Sequence, residues 1–183
     1  TPSPTTPILP QPSAPRVPTL SPAPAPTPLS MQPSPEPTKV PLNLDCDFET
    51  DLCMFVTDAP LYNGRSGWLR DSGGTPSSST GPNVDHTLGT SRGNYVYSEL
   101  SGNKNSQFVM TLDVGEPFPF EKISFWYSMY GSQINYMKFQ SSTDDVTYTD
   151  VFSKTGSQTS SGNQWLYAEI AITDQARYFR FLS

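Results

Sequence analysis

The chain has 183 residues, 20 of them proline, and a net charge of −6 from 11 basic and 17 acidic side chains. An acidic chain with no Lys/Arg cluster argues against nucleic acid, whose phosphates demand a basic face, and weakens an anionic-membrane reading in the same way. No apolar run approaches the roughly 20 residues that a membrane-crossing helix needs.

Residues 1–41 come first, and they hold fifteen of the prolines among Ser, Thr and Ala, with only Arg16, Glu36 and Lys39 charged. Such a segment buries too little apolar surface to offset the entropy of ordering its backbone, so disorder is expected. Its prolines favour extended polyproline II at roughly 3.1 Å per residue, which makes it a stiff stalk or linker. The Ser/Thr-Pro texture suggests O-glycosylation, as in mucin-like stalks. The alternative, PxxP ligands of SH3 domains, belongs to the cytosol and usually wants a flanking basic residue. The chain starts at Thr1 without an initiating Met or a secretory leader, so a processed chain or fragment is expected, which does not count against secretion.

Arg16 and Lys39 against Glu36 give the leader +1, so −7 of the total falls on residues 42–183. From Leu42 onward the apolar pattern has period two. Phe108, Met110 and Leu112 alternate with polar residues, as do Ile123, Phe125, Tyr127 and Met129, while Trp126 and Tyr130 make the opposite face partly apolar too. Further strands are predicted over 95–98, 136–141, 147–153, 164–172 and 177–182, each bounded by Gly, Asn, Ser or Asp clusters. Residues 71–84 and 154–163 read as surface loops. Short, regularly spaced strands without any amphipathic helical window predict an all-β domain over 42–183, a jelly-roll-like β-sandwich.

The two cysteines, Cys46 and Cys53, stand seven positions apart where the leader ends. A disulfide can close that loop if the Cα atoms approach to about 4.4–6.8 Å. Two free thiols and half of a metal site are the other readings, and with His86 the only histidine a four-ligand zinc site is implausible.

Several motifs in order give the chain a family resemblance. They are Cys46-Asp-Phe48-Glu49 with Leu52-Cys53, then Trp68, then Gly81-Pro82-x-x-Asp85-His86-Thr87 leading to Gly93-Asn94-Tyr95. Phe125-Trp126-Tyr127-x-Met129-Tyr130-Gly131 follows, and Trp165 precedes a further strand. Together, over roughly residues 46–183, they resemble the MAM domain, an extracellular module shared by meprins, neuropilins and receptor protein tyrosine phosphatases. The resemblance implies a five-plus-five or similar jelly-roll sandwich, non-catalytic, used for adhesion or self-association outside cells, in a secreted matrix or cell-surface protein. It makes Cys46 and Cys53 the family's opening cysteine pair. It also implies two departures. Lys122 stands where the family has a third cysteine, and the family's closing Asp-Asp strand is not reached by Ser183, so an incomplete domain is expected.

Some members of that family bind a cation near the cysteine pair and the Asp-His-Thr turn. Carried over by position, Glu49 and Asp85 are candidate ligands and Asp51 a third, with Ca2+ the hard cation that carboxylates suit. The plainer alternative is that Asp85 caps a turn while Glu49 bonds backbone amides. His86 beside Gly89-x-Ser91-x-Gly93 matches the letters of a nucleophile elbow, but a strand follows the motif and the histidine precedes the serine, so the match reads as chance and His86 is expected to make a structural hydrogen bond. The carboxylates Glu49, Asp51 and Asp85 also raise a glycosidase reading, for which the sequence offers no acid of raised pKa. Of the aromatic set Phe125, Trp126, Tyr127, Tyr130, Tyr136 and Phe139, core packing is the default use. Tyr130 and Tyr136 are expected to be the exposed pair, available to partner proteins or to glycans, so a carbohydrate-binding sandwich stands as the alternative function.

Overall fold

A computed structural model describes residues 44–58, 67–100, 106–173 and 175–183. The proline-rich leader and the predicted 41/42 boundary lie outside them. Nine strands follow in chain order: β1 (Phe55–Thr57), β2 (Gly67–Ser72), β3 (Asn94–Glu99), β4 (Val109–Pro119), β5 (Lys122–Tyr127), β6 (Tyr136–Ser142), β7 (Thr149–Thr155), β8 (Leu166–Ala171) and β9 (Gln175–Leu182). The domain is all-β, with no helix among the described residues.

Five strands form one antiparallel sheet in the order β1-β4-β9-β6-β7, and two antiparallel ribbons, β2-β3 and β5-β8, make up the second layer. The antiparallel sandwich expected from the sequence is present, in a five-plus-four form among the described residues. Among the described residues the second layer has four strands in two separate ribbons.

The period-two pattern explains the core. In β9 Phe179 and Phe181 fall on one face, and their cross-strand partners Leu112 and Met110 in β4 and Ser141 and Phe139 in β6 share it. Phe179 is fully buried and stacks parallel to Phe139 with ring centroids 5.7 Å apart. From β5, Phe125 meets Phe139, Phe152 and Phe181 edge-on at 5.5, 5.3 and 5.1 Å. Edge-to-face pairs of this kind contribute roughly 0.5–1.5 kcal/mol each beyond their area burial. They fasten the β5-β8 ribbon to the five-stranded sheet. Trp68 does the same for β2-β3, packing on Phe181 and donating its indole N–H to the Phe108 carbonyl at 3.2 Å.

In β4 the pairing with β9 shifts between Asp113 and Phe118, where Gly115 takes a φ of +86°. Asp113 holds this bulge, accepting the Gly115 amide at 2.8 Å and both arms of Arg177 at 2.7 and 2.8 Å.

Candidate interaction surface

The disulfide loop leads into β1. Cys46 and Cys53 are joined, with Cα atoms 6.1 Å apart, and the free-thiol and metal alternatives fall away. The loop turns through left-handed backbone at Phe48 (φ 61°) and Cys53 (φ 53°). Aspartates fix both bends: Asp47 accepts the Glu49 amide at 2.9 Å and Asp51 the Cys53 amide at 2.7 Å. Such local side-chain bonds are how Asp supports turn conformations that most residues avoid. Arg70 on β2 then clamps the loop, donating Nε–H to the Phe48 carbonyl and Nη2–H to the Glu49 carbonyl.

Glu49 itself reaches the start of β3, where its two carboxylate oxygens accept the Asn94 amide at 3.1 and 3.2 Å and Oε2 takes the Asn94 side-chain amide at 3.3 Å. One residue earlier, Gly93 lies against the carboxylate of Asp85. A Cβ at position 93 would stand 2.1 Å from the Asp85 Cγ, so only glycine admits that carboxylate. Asp85 is 1% exposed, and its oxygens accept the amides of Leu88 and of Thr90 (2.9 Å), while its own amide donates to the Thr90 carbonyl at 3.1 Å. A buried carboxylate is tolerable only when it is hydrogen-bonded in this way.

Glu49 and Asp85 thus converge on Gly93–Asn94 from two sides, each bonded to backbone amides, while Asp51 serves its own loop. No group of three or more His, Cys, Asp or Glu side chains among the described residues is placed to hold a metal ion. Calcium takes six to eight oxygens at about 2.3–2.6 Å, so this donor set among the described residues does not fit such a centre. What the three carboxylates do is order loops.

The Asp85 turn carries His86 onto the outer face of the β5-β8 ribbon. Its ring lies on Trp126, centroids 3.9 Å apart and 18° from parallel, with Trp165 edge-on at 6.3 Å. Among the described residues His86 makes these ring contacts rather than the expected structural hydrogen bond. Trp165 is held in turn by its indole N–H on the Val84 carbonyl at 3.0 Å. Ser91, the serine of the elbow-like motif, is exposed in a loop that enters β3, and no helix follows it.

Trp126 and Tyr167 are cross-strand partners, 46% and 50% exposed, with rings 5.1 Å apart. The Tyr167 hydroxyl donates to Glu169 Oε2 at 3.0 Å, and Lys122 Nζ donates to the same oxygen at 3.0 Å. The hydrogen bond from Lys122, then that from Tyr167, lowers the Glu169 carboxyl below its ordinary range, and Glu169 raises the Lys122 ammonium. Tyr130 and Tyr136, expected to be the exposed pair, are only half-buried. Tyr136 accepts a hydrogen bond from Gln107 Nε2 at 2.6 Å, and Tyr130 borders an open cleft with Ser79, Gly131, Ser132 and Ser157. Beside the disulfide, between Cys46, Met54, Phe55 and Leu112, a hollow of about 40 Å³ is far below the size of a substrate pocket.

The fold is an antiparallel sandwich opened by one disulfide, a bond at home in oxidising compartments. The chain belongs to the MAM family: residues 46–182 match the family model described as MAM domain, meprin/A5/mu. MAM domains are extracellular adhesion and interaction modules, typically non-catalytic. The chain is 29% identical over 140 residues to neuropilin-1a of Danio rerio, covering 69% of this chain and 14% of the relative. It is 37% identical over 91 residues to MAM domain-containing protein 2 of Mus musculus and 38% over 93 residues to that of Homo sapiens, in each case 48% of this chain and 12% of the relative. The chain therefore spans about one-eighth of the length of the curated relatives it matches.

Proposed function

We propose that this chain acts as a non-catalytic adhesion module of a secreted matrix or cell-surface protein, binding partner proteins or a further copy of itself. The observation that carries the reading is the use of its carboxylates. Glu49 accepts the Asn94 amide, Asp85 those of Leu88 and Thr90 and Asp51 that of Cys53, each ordering backbone instead of facing a common cavity as paired catalytic acids would. Rigid loops on a sandwich are suited to display contact residues. The single disulfide and the family match support an extracellular setting. In this reading residues 1–41, proline-rich with three charged side chains, are a stalk or linker.

Sedimentation velocity of the full chain tests the homophilic arm, and retention of the full chain on cell-deposited matrix tests the heterophilic one. Concentration-dependent assembly, or retention competed by unlabelled chain, is expected. A monomer at every concentration that also fails to be retained overturns the reading.

A further inference from the structure

The outward face of the β5-β8 ribbon is assembled from Lys122, Ser124 and Trp126 on one strand and Tyr167, Glu169 and Ala171 on the other, all exposed, while Ile123, Phe125, Tyr127, Ala168 and Ile170 point into the sandwich. The inner residues account for the ribbon's attachment. Of the outer aromatics, Trp126 packs on His86 and Tyr167, yet both Trp126 and Tyr167 stay about half exposed.

We infer that this face is a binding platform for a neutral, polyhydroxylated ligand, a glycan, with Trp126 and Tyr167 as the stacking surface and Glu169 and Lys122 as the hydrogen-bonding pair. The inference goes beyond the adhesion reading, because it assigns a ligand class and a site. Three observations carry it.

The first is that the rings are set in place before any ligand arrives. His86 covers one side of the Trp126 indole at 3.9 Å, yet Trp126 remains 46% exposed. Tyr167 is pinned at its far end by the hydroxyl bond to Glu169. A surface fixed in this way gives up little conformational entropy on binding.

The second is unused polar capacity beside the rings. Both bonds to Glu169 end on Oε2, so Oε1 is an acceptor with no hydrogen bond among the described residues. Lys122 gives one of its three N–H donors to Glu169 and has two more. An acceptor next to a donor is what a sugar's neighbouring hydroxyls need, since each hydroxyl both donates and accepts.

The third is charge. Lys122 and Glu169 cancel across a 3.0 Å contact, so the face selects neither a basic nor an acidic partner locally. The −7 carried by residues 42–183 disfavours sulfated or otherwise polyanionic chains. A neutral ligand with apolar ring faces and polar edges is what remains. From Lys122 to Trp126 the strand runs about 14 Å at roughly 3.4 Å per residue, longer than one sugar ring, so an oligosaccharide rather than a monosaccharide is the expected occupant.

The test is a printed array of neutral and sulfated extracellular glycans probed with the full chain and with Trp126→Ala, Glu169→Gln, Tyr167→Phe and Val146→Ala, circular dichroism confirming that each is folded. The wild-type chain should retain one or more neutral glycans. Trp126→Ala should weaken that retention at least about tenfold, equivalent to 1.4 kcal/mol. Glu169→Gln and Tyr167→Phe should weaken it less, and Val146→Ala, 82% exposed in the turn between β6 and β7, should leave it unchanged. If Trp126→Ala does not fold, Glu169→Gln and Tyr167→Phe decide. Retention of no neutral glycan, retention only of sulfated ones, or retention untouched by the ribbon substitutions overturns the inference. Loss of protein association in Trp126→Ala without any glycan bound would make the face a protein contact, which overturns this assignment and leaves the adhesion reading standing.

Discussion

The carboxylate of Asp85 occupies the place where a side chain at Gly93 would project, its Cγ 2.1 Å from where the Cβ would be. This contact joins the first residue of a turn to the entry of β3, and it sets the position of His86 on the ribbon. Gly93→Ala should expel the carboxylate and leave the Leu88 and Thr90 amides without their acceptor. A lost acceptor at a buried site costs about 1–3 kcal/mol, and steric displacement adds to it. Urea unfolding should show a combined loss of about 2–4 kcal/mol, together with a change in tryptophan fluorescence as His86 leaves Trp126. In an Asp85→Ala background the same substitution should cost much less, because the clash partner is gone.

Phe179 tests the core. It is fully buried against Phe139 and Phe120, so Phe179→Ala should destabilise by about 3–5 kcal/mol. Val146→Ala, on an 82% exposed side chain, should change stability by less than about 0.5 kcal/mol. Equal effects at the two positions in thermal unfolding would contradict the assignment of core and surface.

The loop between Cys46 and Cys53 is held twice, by the disulfide and by Arg70 on the Phe48 and Glu49 carbonyls. Closing so short a loop contributes about 2–3 kcal/mol in the chain-entropy model. Replacing both cysteines by serine should lower stability by about that amount, and Arg70→Ala should cost more in the serine variant than in the native chain, since it removes the remaining restraint. Strict additivity in the four-member cycle would show that the two restraints act on different structure.

Acid and alkali should act on different layers. The Arg177 guanidinium, followed by the Gly115 amide, lowers the Asp113 carboxyl to about 2. A depressed folded-state value favours the native chain above the ordinary value of 3.8, and this contribution is lost as pH falls from there toward about 2. Asp113 lies on the exposed side of the sheet, so the effect is read from its carboxyl resonance, whose titration midpoint should rise in Arg177→Ala. Tyr95 behaves oppositely. Burial, followed by the charge of Asp71, pushes its hydroxyl up to about 12, and it donates to the Gly73 carbonyl at 2.6 Å. That contribution is complete below the ordinary value of 10 and is lost as pH rises toward about 12. Tyr95→Phe should flatten the alkaline limb of a stability–pH profile.

Strands whose alternation runs through apolar and aromatic residues were legible from sequence: β5, β6 and β9 fall within a residue or two of their predicted spans, and the predicted loop ends shift only where β2 runs to Ser72 and β7 to Thr155. Two strands were not legible. Phe55–Thr57 is too short to show a period, and Gly67–Ser72 becomes polar halfway, buried at Gly67 and Trp68 but exposed at Asp71 and Ser72. Their pairing with β4 and β3 creates them, and pairing is not local information. The same limit applies to the surface. The backbone-bonding role of Asp85 and Glu49 could be read as an alternative because Asp and Glu near turns do this locally. The Arg70 clamp spans more than twenty positions, and the exposure of Trp126 and Tyr167 follows from a register that joins residues 41 apart. The one sequence signal was parity: Trp126 alternates out of phase with Phe125 and Tyr127, which marks it as facing outward.

The proposed binding role of this MAM domain is tested most directly by equilibrium retention of the labelled full chain on cell-deposited matrix against increasing unlabelled chain. The account predicts saturable retention that unlabelled chain competes away and that falls when the disulfide is reduced and alkylated. Retention that never saturates, or that matches an unrelated protein of equal size and charge, would contradict it.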